Sequence, residues 1–227
     1  AMDHEVGRLV TYLQSIGEYE NTVFVLLSDN GAVANEPYEN PAARRWFEKH
    51  FHREIETLGE KGSWVSAGRH WGRVSNTPLS GQKFSAAEGG MRVPLIIAGM
   101  HGTGLHKNAG AVVGRFSWAT DIVPTLLDIA GVAVPEPQPA CESLGGSSLL
   151  SVVAGEGSGE GAGEGMNFGN AGDNAGIGRR FVSRAERPPI GYEFSGNAAL
   201  FRGELKLVKN FPPAGDNHWR LYHLSDD

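Results

Sequence analysis

Cysteine is all but missing from these 227 residues: Cys141 stands alone, so no internal disulfide can form and no cysteine-based zinc or redox motif is present. Its neighbourhood, PEPQPACESLGG, is a turn-rich connector, which marks the thiol as incidental. Long apolar runs are missing too; none approaches 18 residues, which excludes a transmembrane helix read from sequence and gives no membrane partner. Positive charge is in deficit, with Lys plus Arg at 20 against Asp plus Glu at 26 and a net charge of -6. Without a basic tract interleaved with aromatics, no nucleic-acid partner is expected. The opening residues lack the basic head and apolar stretch of a signal peptide and read as the interior of a domain that begins elsewhere. That leaves the compartment open.

What is present is enough for one substantial core with a satellite, since 40% of the residues are hydrophobic. Glycine numbers 32, about twice the ordinary share, but without a Gly-X-Y period. Met2, Val6, Leu9, Val10, Leu13 and Ile16 recur at helical spacing and predict a helix ending near Gly17 and lying on a sheet. Val23 to Leu27 is an unbroken apolar run, predicting a strand buried on both faces. Helix followed by buried strand implies an α/β fold with a partial, mostly parallel sheet flanked by helices.

Asn40 to Leu58 is amphipathic, with Phe47, Phe51, Ile55 and Leu58 in one stripe. Residues 59–92 read as a long irregular stretch, the kind that is usually functional or disordered. Val93 to Gly99 is the next strand. A helix beginning near Asp121 and reaching Ala130 follows, with Pro124 in its first turn and Ile122, Leu126, Leu127 and Ile129 as its buried side. After the extended connector 134–139 comes a glycine-rich excursion, 155–178. Short strand candidates close the chain at 180–183, 190–195, 198–202, 205–209 and 219–224, with Gly203-Glu204 turning a hairpin, so a small C-terminal antiparallel sheet is expected. The organisation expected is an α/β domain over 1–150, a glycine-rich loop or insertion over 151–179 and an incomplete antiparallel subdomain over 180–227.

The strand at 23–27 runs into Ser28-Asp29-Asn30-Gly31, placing Asp29 and Asn30 where an open α/β sheet keeps its active site. A carboxylate beside an amide carbonyl suits a hard cation such as calcium or magnesium, although SDNG also reads as a plain Asx turn. Lys83, in Ser80-Gly81-Gln82-Lys83-Phe84, is flanked by small residues that would let its ammonium approach a tetrahedral anion; the alternative is a solvated loop lysine. His70, between these two segments, could line a substrate pocket. The remaining histidines have no zinc spacing, since His50 and His52 would face different ways on a helix.

Taken in order, strand-SDNG, NTPLSGQKFSAAEGGMRVPLIIAG, ATDIVPTLLDIAGV and WRLYHLSDD make the chain resemble the type I sulfatase family, of the alkaline phosphatase superfamily, over nearly its whole length and as that family's C-terminal half only. The resemblance implies an arylsulfatase-like, metal-dependent hydrolase of small-molecule sulfate monoesters. Asp29 and Asn30 match its later pair of metal ligands, with calcium the usual ion and magnesium the alternative. Lys83 matches the lysine that binds the sulfate group. The family nucleophile is a formylglycine made within C/S-x-P-x-R, a motif these residues lack, so the chain alone is expected to be inactive. A phosphonate or phosphate ester hydrolase of the same superfamily is the nearest alternative, and a noncatalytic remnant that self-associates through a truncated sheet edge is another.

Overall fold

The computed structural model describes residues 2–34, 36–99, 109–113, 116–133, 145–154 and 187–224. Cys141, the connector 134–139, the glycine-rich stretch and the strand candidate 180–183 lie outside the described residues. In chain order the elements are α1 (Met2–Ser15), β1 (Val23–Leu27), α2 (Pro41–His50), α3 (Gly68–Asn76), α4 (Glu88–Met91), β2 (Leu95–Gly99), α5 (Ile122–Ile129), α6 (Leu150–Val153), β3 (Ile190–Phe194), β4 (Asn197–Arg202), β5 (Leu205–Lys209) and β6 (Arg220–His223). None of the described helices is long and apolar enough to cross a membrane.

The chain divides into two compact units, Ala1–Leu26 with Ile96–Arg187, and Leu27–Leu95 with Pro188–Asp227. In the first, β1 pairs with β2 in a two-stranded sheet. The expectation of a mostly parallel sheet is corrected here, because the sheets present are antiparallel. The end of β2 lies against the start of β1: a Cβ on Gly99 would stand 2.2 Å from the Thr22 carbonyl oxygen. At the opposite end, past β1, Gly31 N–H donates to the Gly90 carbonyl just ahead of β2 at 3.1 Å. The alternation of helix and strand suggested parallel crossovers, but residues 28–94 return the chain to the end of β1 that it left. Nor is β1 buried on both faces, since Leu26 and Leu27 are 40% and 43% exposed.

Helix α1 has the expected bounds but no buried residue; Met2, Val6, Leu9 and Ile16 all stay exposed. Helix α5 starts at Ile122, after a 3-10 turn over Ala119–Asp121. Its buried residues are Pro124 and Thr125, not the four apolar ones expected. The organising group is Asp121, which is fully buried. Its carboxylate accepts from Trp118 N–H and Ser147 N–H, both at 2.8 Å, and from the Arg187 guanidinium at 3.0 Å. Thr125 extends this network, donating to the Asp121 carbonyl at 2.6 Å and accepting from Leu149 N–H at 2.8 Å.

In the second unit the antiparallel sheet β3-β4-β5-β6 has the expected composition. Gly203 turns β4 into β5 with φ +55, and Leu200 faces Leu207 across the hairpin. Helix α2 begins at an asparagine cap, Asn40 Oδ1 accepting from Ala42 and Ala43 N–H, and ends at His50. It is therefore shorter than the amphipathic stripe to Leu58 suggested, and a 3-10 turn holds Ile55–Thr57 instead. Inside the stretch read as irregular lies α3. It packs closely on Val33, Ala34 and Glu36: Gly72 has space for no side chain, a Cβ there standing 2.8 Å from the Val33 carbonyl oxygen, and Arg69 N–H donates to Glu36 Oε1 at 3.1 Å.

Candidate active site

Just past β1 the SDNG turn is shaped by its own side chains. Ser28 Oγ donates to the Asn30 carbonyl at 2.8 Å, and Asn30 Nδ2 donates to the Gly31 carbonyl at 3.0 Å. With its amide nitrogen committed, Asn30 keeps the side-chain oxygen for another donor or a cation. Asp29 is exposed, and its carboxylate has no hydrogen bond or ion pair among the described residues. Gly31 is required at its position, because a Cβ there would stand 1.7 Å from the Gly89 carbonyl oxygen.

That close approach joins the turn to the loop carrying Lys83. Lys83 N–H donates to the Ala32 carbonyl at 3.0 Å, Gly31 N–H to Gly90, and Gly89 N–H to Ser80 at 2.6 Å. The structure therefore brings the Asp29-Asn30 segment and the Lys83 segment together through their backbones. The Lys83 ammonium lies 5.5 Å from the centre of the Phe84 ring, and no carboxylate pairs with it among the described residues. The one acid of the segment 80–92, Glu88, is matched instead by Lys206 at 2.6 Å. Lys206 is 2% exposed.

The small sheet holds this loop in place. Asn197 Nδ2 donates to the Phe84 carbonyl at 2.9 Å while its Oδ1 accepts from Phe211 N–H at 2.7 Å. Asn210 Oδ1 accepts from Ala86 N–H at 2.7 Å. Phe84 itself has φ +73, a left-handed backbone unusual for an aromatic residue, and its ring stacks on Phe194 with centroids 5.8 Å apart. These asparagines and Lys206 went unnoticed in the sequence. Their partners lie 113, 124 and 118 residues away, and a single polar residue in a strand gives no periodic signal.

His70 has a different setting. It is exposed on α3 and lines a cleft of about 350 Å3 with Glu36, Tyr38, Glu39 and Arg69. Neither Asp29, Asn30 nor Lys83 lines that cleft. Among the described residues no group of three His, Cys, Asp or Glu could hold a metal ion. Asp29 and Asn30 are of oxygen-donor types that suit a hard cation, and two residues fall short of the six to eight oxygens usual for calcium.

Comparison with known proteins places this chain in a family. The sulfatase family model matches residues 1–132. The match occupies the N-terminal part of this chain, which corrects the expectation that the resemblance runs through nearly all of it as the family's C-terminal half. Residues 133–227 lie beyond the match. The chain is similar to an arylsulfatase of Klebsiella aerogenes, 34% identical over 138 residues that make up 58% of this chain and 27% of that protein. It is also similar to an N-acetylglucosamine-6-O-sulfatase of Bacteroides thetaiotaomicron, 29% identical over 69% of this chain and 19% of that one. A solved structure of a protein in complex with its substrate D-glucosamine-2-N,6-O-disulfate aligns with 99% of this chain and 32% of its own at 22% identity and a TM-score of 0.44. The matched segments span about a quarter or less of the length of these two curated relatives. With its match covering more than half of the residues, the chain belongs to the sulfatase family.

Proposed function

We propose that the protein carrying this chain hydrolyses sulfate monoesters, with Lys83, Asp29 and Asn30 forming the anion-facing and metal-facing part of its site. The observation that carries this reading is the backbone joint between the SDNG turn and the Lys83 loop, Lys83 N–H to Ala32 carbonyl at 3.0 Å. It ties the backbone of the segment carrying Lys83 to that of the turn carrying Asp29 and Asn30, and no carboxylate pairs with Lys83 among the described residues. Lys83 would bind the sulfate group as a point charge and gain strength as negative charge develops on the sulfate oxygens. Asp29 and Asn30 Oδ1 would hold part of the coordination of a calcium ion, or of magnesium in its place. Such a cation, when bound, supplies Lewis-acid polarisation of the ester oxygens. Glu88, the one acid of the segment 80–92, is paired with Lys206, so the segment adds no unpaired carboxylate to the site.

His70 would serve substrate binding through its own cleft, which none of the three other residues lines. The carboxylates of that cleft and the Arg69 guanidinium suit a hydroxyl-bearing leaving group. These 227 residues contain no C/S-x-P-x-R motif, so the chain by itself is proposed to be inactive and turnover belongs to the whole protein. The similarity to an arylsulfatase selects the first probe, 4-nitrophenyl sulfate, and the similarity to an N-acetylglucosamine-6-O-sulfatase selects the second, a sulfated amino sugar. The test is release of inorganic sulfate by the full-length protein, with 4-nitrophenyl phosphate as the comparison. Sulfate release that exceeds phosphate release and disappears on chelation supports the reading. Phosphate release in excess of sulfate release overturns it in favour of phosphate ester chemistry.

A further inference from the structure

Asn76, the last residue of α3, ties the SDNG turn to the Lys83 loop a second time. We propose that it is a positioning residue, setting the place of Lys83 relative to Asp29 and Asn30. This inference rests on the sulfate ester reading above. Asn76 Oδ1 accepts from Ala32 N–H at 2.9 Å, and Asn76 Nδ2 donates to the Gly81 carbonyl at 3.0 Å. Ala32 in turn accepts from Lys83 N–H through its carbonyl at 3.0 Å. The result is a closed circuit: Ala32, the Asn76 amide, Gly81, Gln82, Lys83 and back to Ala32.

Both polar groups of Ala32 are thus used to hold the two site segments at one spacing. The circuit is anchored from outside by α3, which packs through Gly72 on residues 33 and 34 and bonds through Arg69 N–H to Glu36. Asn76 is also held by its own carbonyl, which accepts from Leu79 N–H at 2.8 Å. Gly81 completes the bend with φ +84; a Cβ there would stand 2.7 Å from Ser85 Oγ.

The chemistry of the site asks for an asparagine at 76. One donor and one acceptor must leave a short side chain in a single plane. Aspartate keeps the acceptor for Ala32 N–H but sets a carboxylate oxygen against the Gly81 carbonyl. Glutamine adds a methylene to a circuit that has no slack. The side-chain bonds of Asn76 go to backbone groups and not to Asp29, Asn30 or Lys83 side chains, so its effect on the reaction would pass through the placement of Lys83. Small displacements of a charge that stabilises a transition state are costly in rate.

The experiment is a double-mutant cycle on the full-length protein with 4-nitrophenyl sulfate. Asn76→Ala is expected to lower kcat by about 10- to 100-fold with little change in KM. Lys83→Ala is expected to lower it by about 100-fold. The double variant should be no slower than Lys83→Ala alone, because a residue that acts through Lys83 has nothing left to place. Asn76→Asp, which keeps the Ala32 bond but turns a carboxylate oxygen on the Gly81 carbonyl, should lower kcat at least as far as Asn76→Ala, and it stands in for the alanine variant if that one fails to fold. A further loss of about 10-fold or more when Asn76 is changed in the Lys83→Ala background overturns the inference. Wild-type turnover by Lys83→Ala overturns the underlying reading of Lys83 instead, so the two failures are distinguishable.

Discussion

Asn197 gives the sharpest test of how the small sheet supports the site. It is 8% exposed, and its amide satisfies two backbone groups at once, the Phe84 carbonyl and the Phe211 N–H. Asn197→Ala removes both bonds and leaves both backbone groups without their partner. A buried group left in that state costs about 1–3 kcal/mol. Partial water access after truncation places the sum near the lower half of the range, about 3 kcal/mol for the pair. With a urea slope of about 3 kcal/mol/M for a chain of this size, the midpoint should fall by about 1 M.

Asn197→Asp is the companion variant. It preserves an acceptor for Phe211 N–H but sets a carboxylate oxygen against the Phe84 carbonyl at a buried position, so its midpoint should fall at least as far as that of Asn197→Ala. Equilibrium urea unfolding followed by tryptophan fluorescence reads both. A midpoint for Asn197→Ala within about 0.2 M of wild type, equivalent to about 0.6 kcal/mol, would refute the claim that this amide holds the Lys83 loop to the sheet.

Further expectations follow from other parts of the molecule. Gly31→Ala drives a methyl into the Gly89 carbonyl; the backbone must move, and a loss of about 2–3 kcal/mol, typical of overpacking, should appear as a lower Tm in a thermal melt. Unchanged Tm would mean that the two segments are not in this close contact. Arg220 donates to both carboxylate oxygens of Asp216, at 2.7 and 2.5 Å, and this bond holds the Asp216 carboxyl well below the usual range. A depressed folded-state value means that the pair contributes to stability above the unfolded value, about 3.9, and that the contribution is lost as pH falls through the folded one. A carbonyl-detected NMR titration should therefore find Asp216 ionised at pH 3 in wild type, with Arg220→Ala moving its midpoint up towards 3.9; a wild-type midpoint at or above about 3.9 would contradict the bond.

Some of this was legible in the sequence because local rules decide it. Apolar spacing and Gly17 place α1, Pro124 fixes the start of α5, and Gly203-Glu204 sets the β4-β5 hairpin. The SDNG turn falls at the end of β1, as the apolar run predicts. Direction was harder: a strand's residues do not record whether its partner runs parallel, and here residues 28–94 decided that β1 and β2 are antiparallel. Helix α3 was hidden by its composition, because GRHWGRVSN contains two glycines, a β-branched residue and few strong helix formers. Its buried residues are the two glycines, Gly68 and Gly72, and the close approach of Gly72 to Val33 and Ala34 is a contact that no local pattern reports. Of the proposed site, Asp29, Asn30 and Lys83 read locally as well for an Asx turn and a solvated loop lysine, and only the ordered resemblance to a family singles them out; Asn76, Asn197, Lys206 and Asn210 have partners that no local pattern reports. His70 was placed near the suspected site by its position in the chain; in the structure it faces a cleft of its own.

The central claim is that Lys83 stabilises a sulfate ester during hydrolysis, and the most direct measurement is kcat/KM of the full-length protein for 4-nitrophenyl sulfate, wild type against Lys83→Ala. The account predicts a loss of about 100-fold, the size expected for one removed cation or hydrogen-bond donor at developing charge, with the bound metal content unchanged. Equal kcat/KM in the two proteins would contradict it.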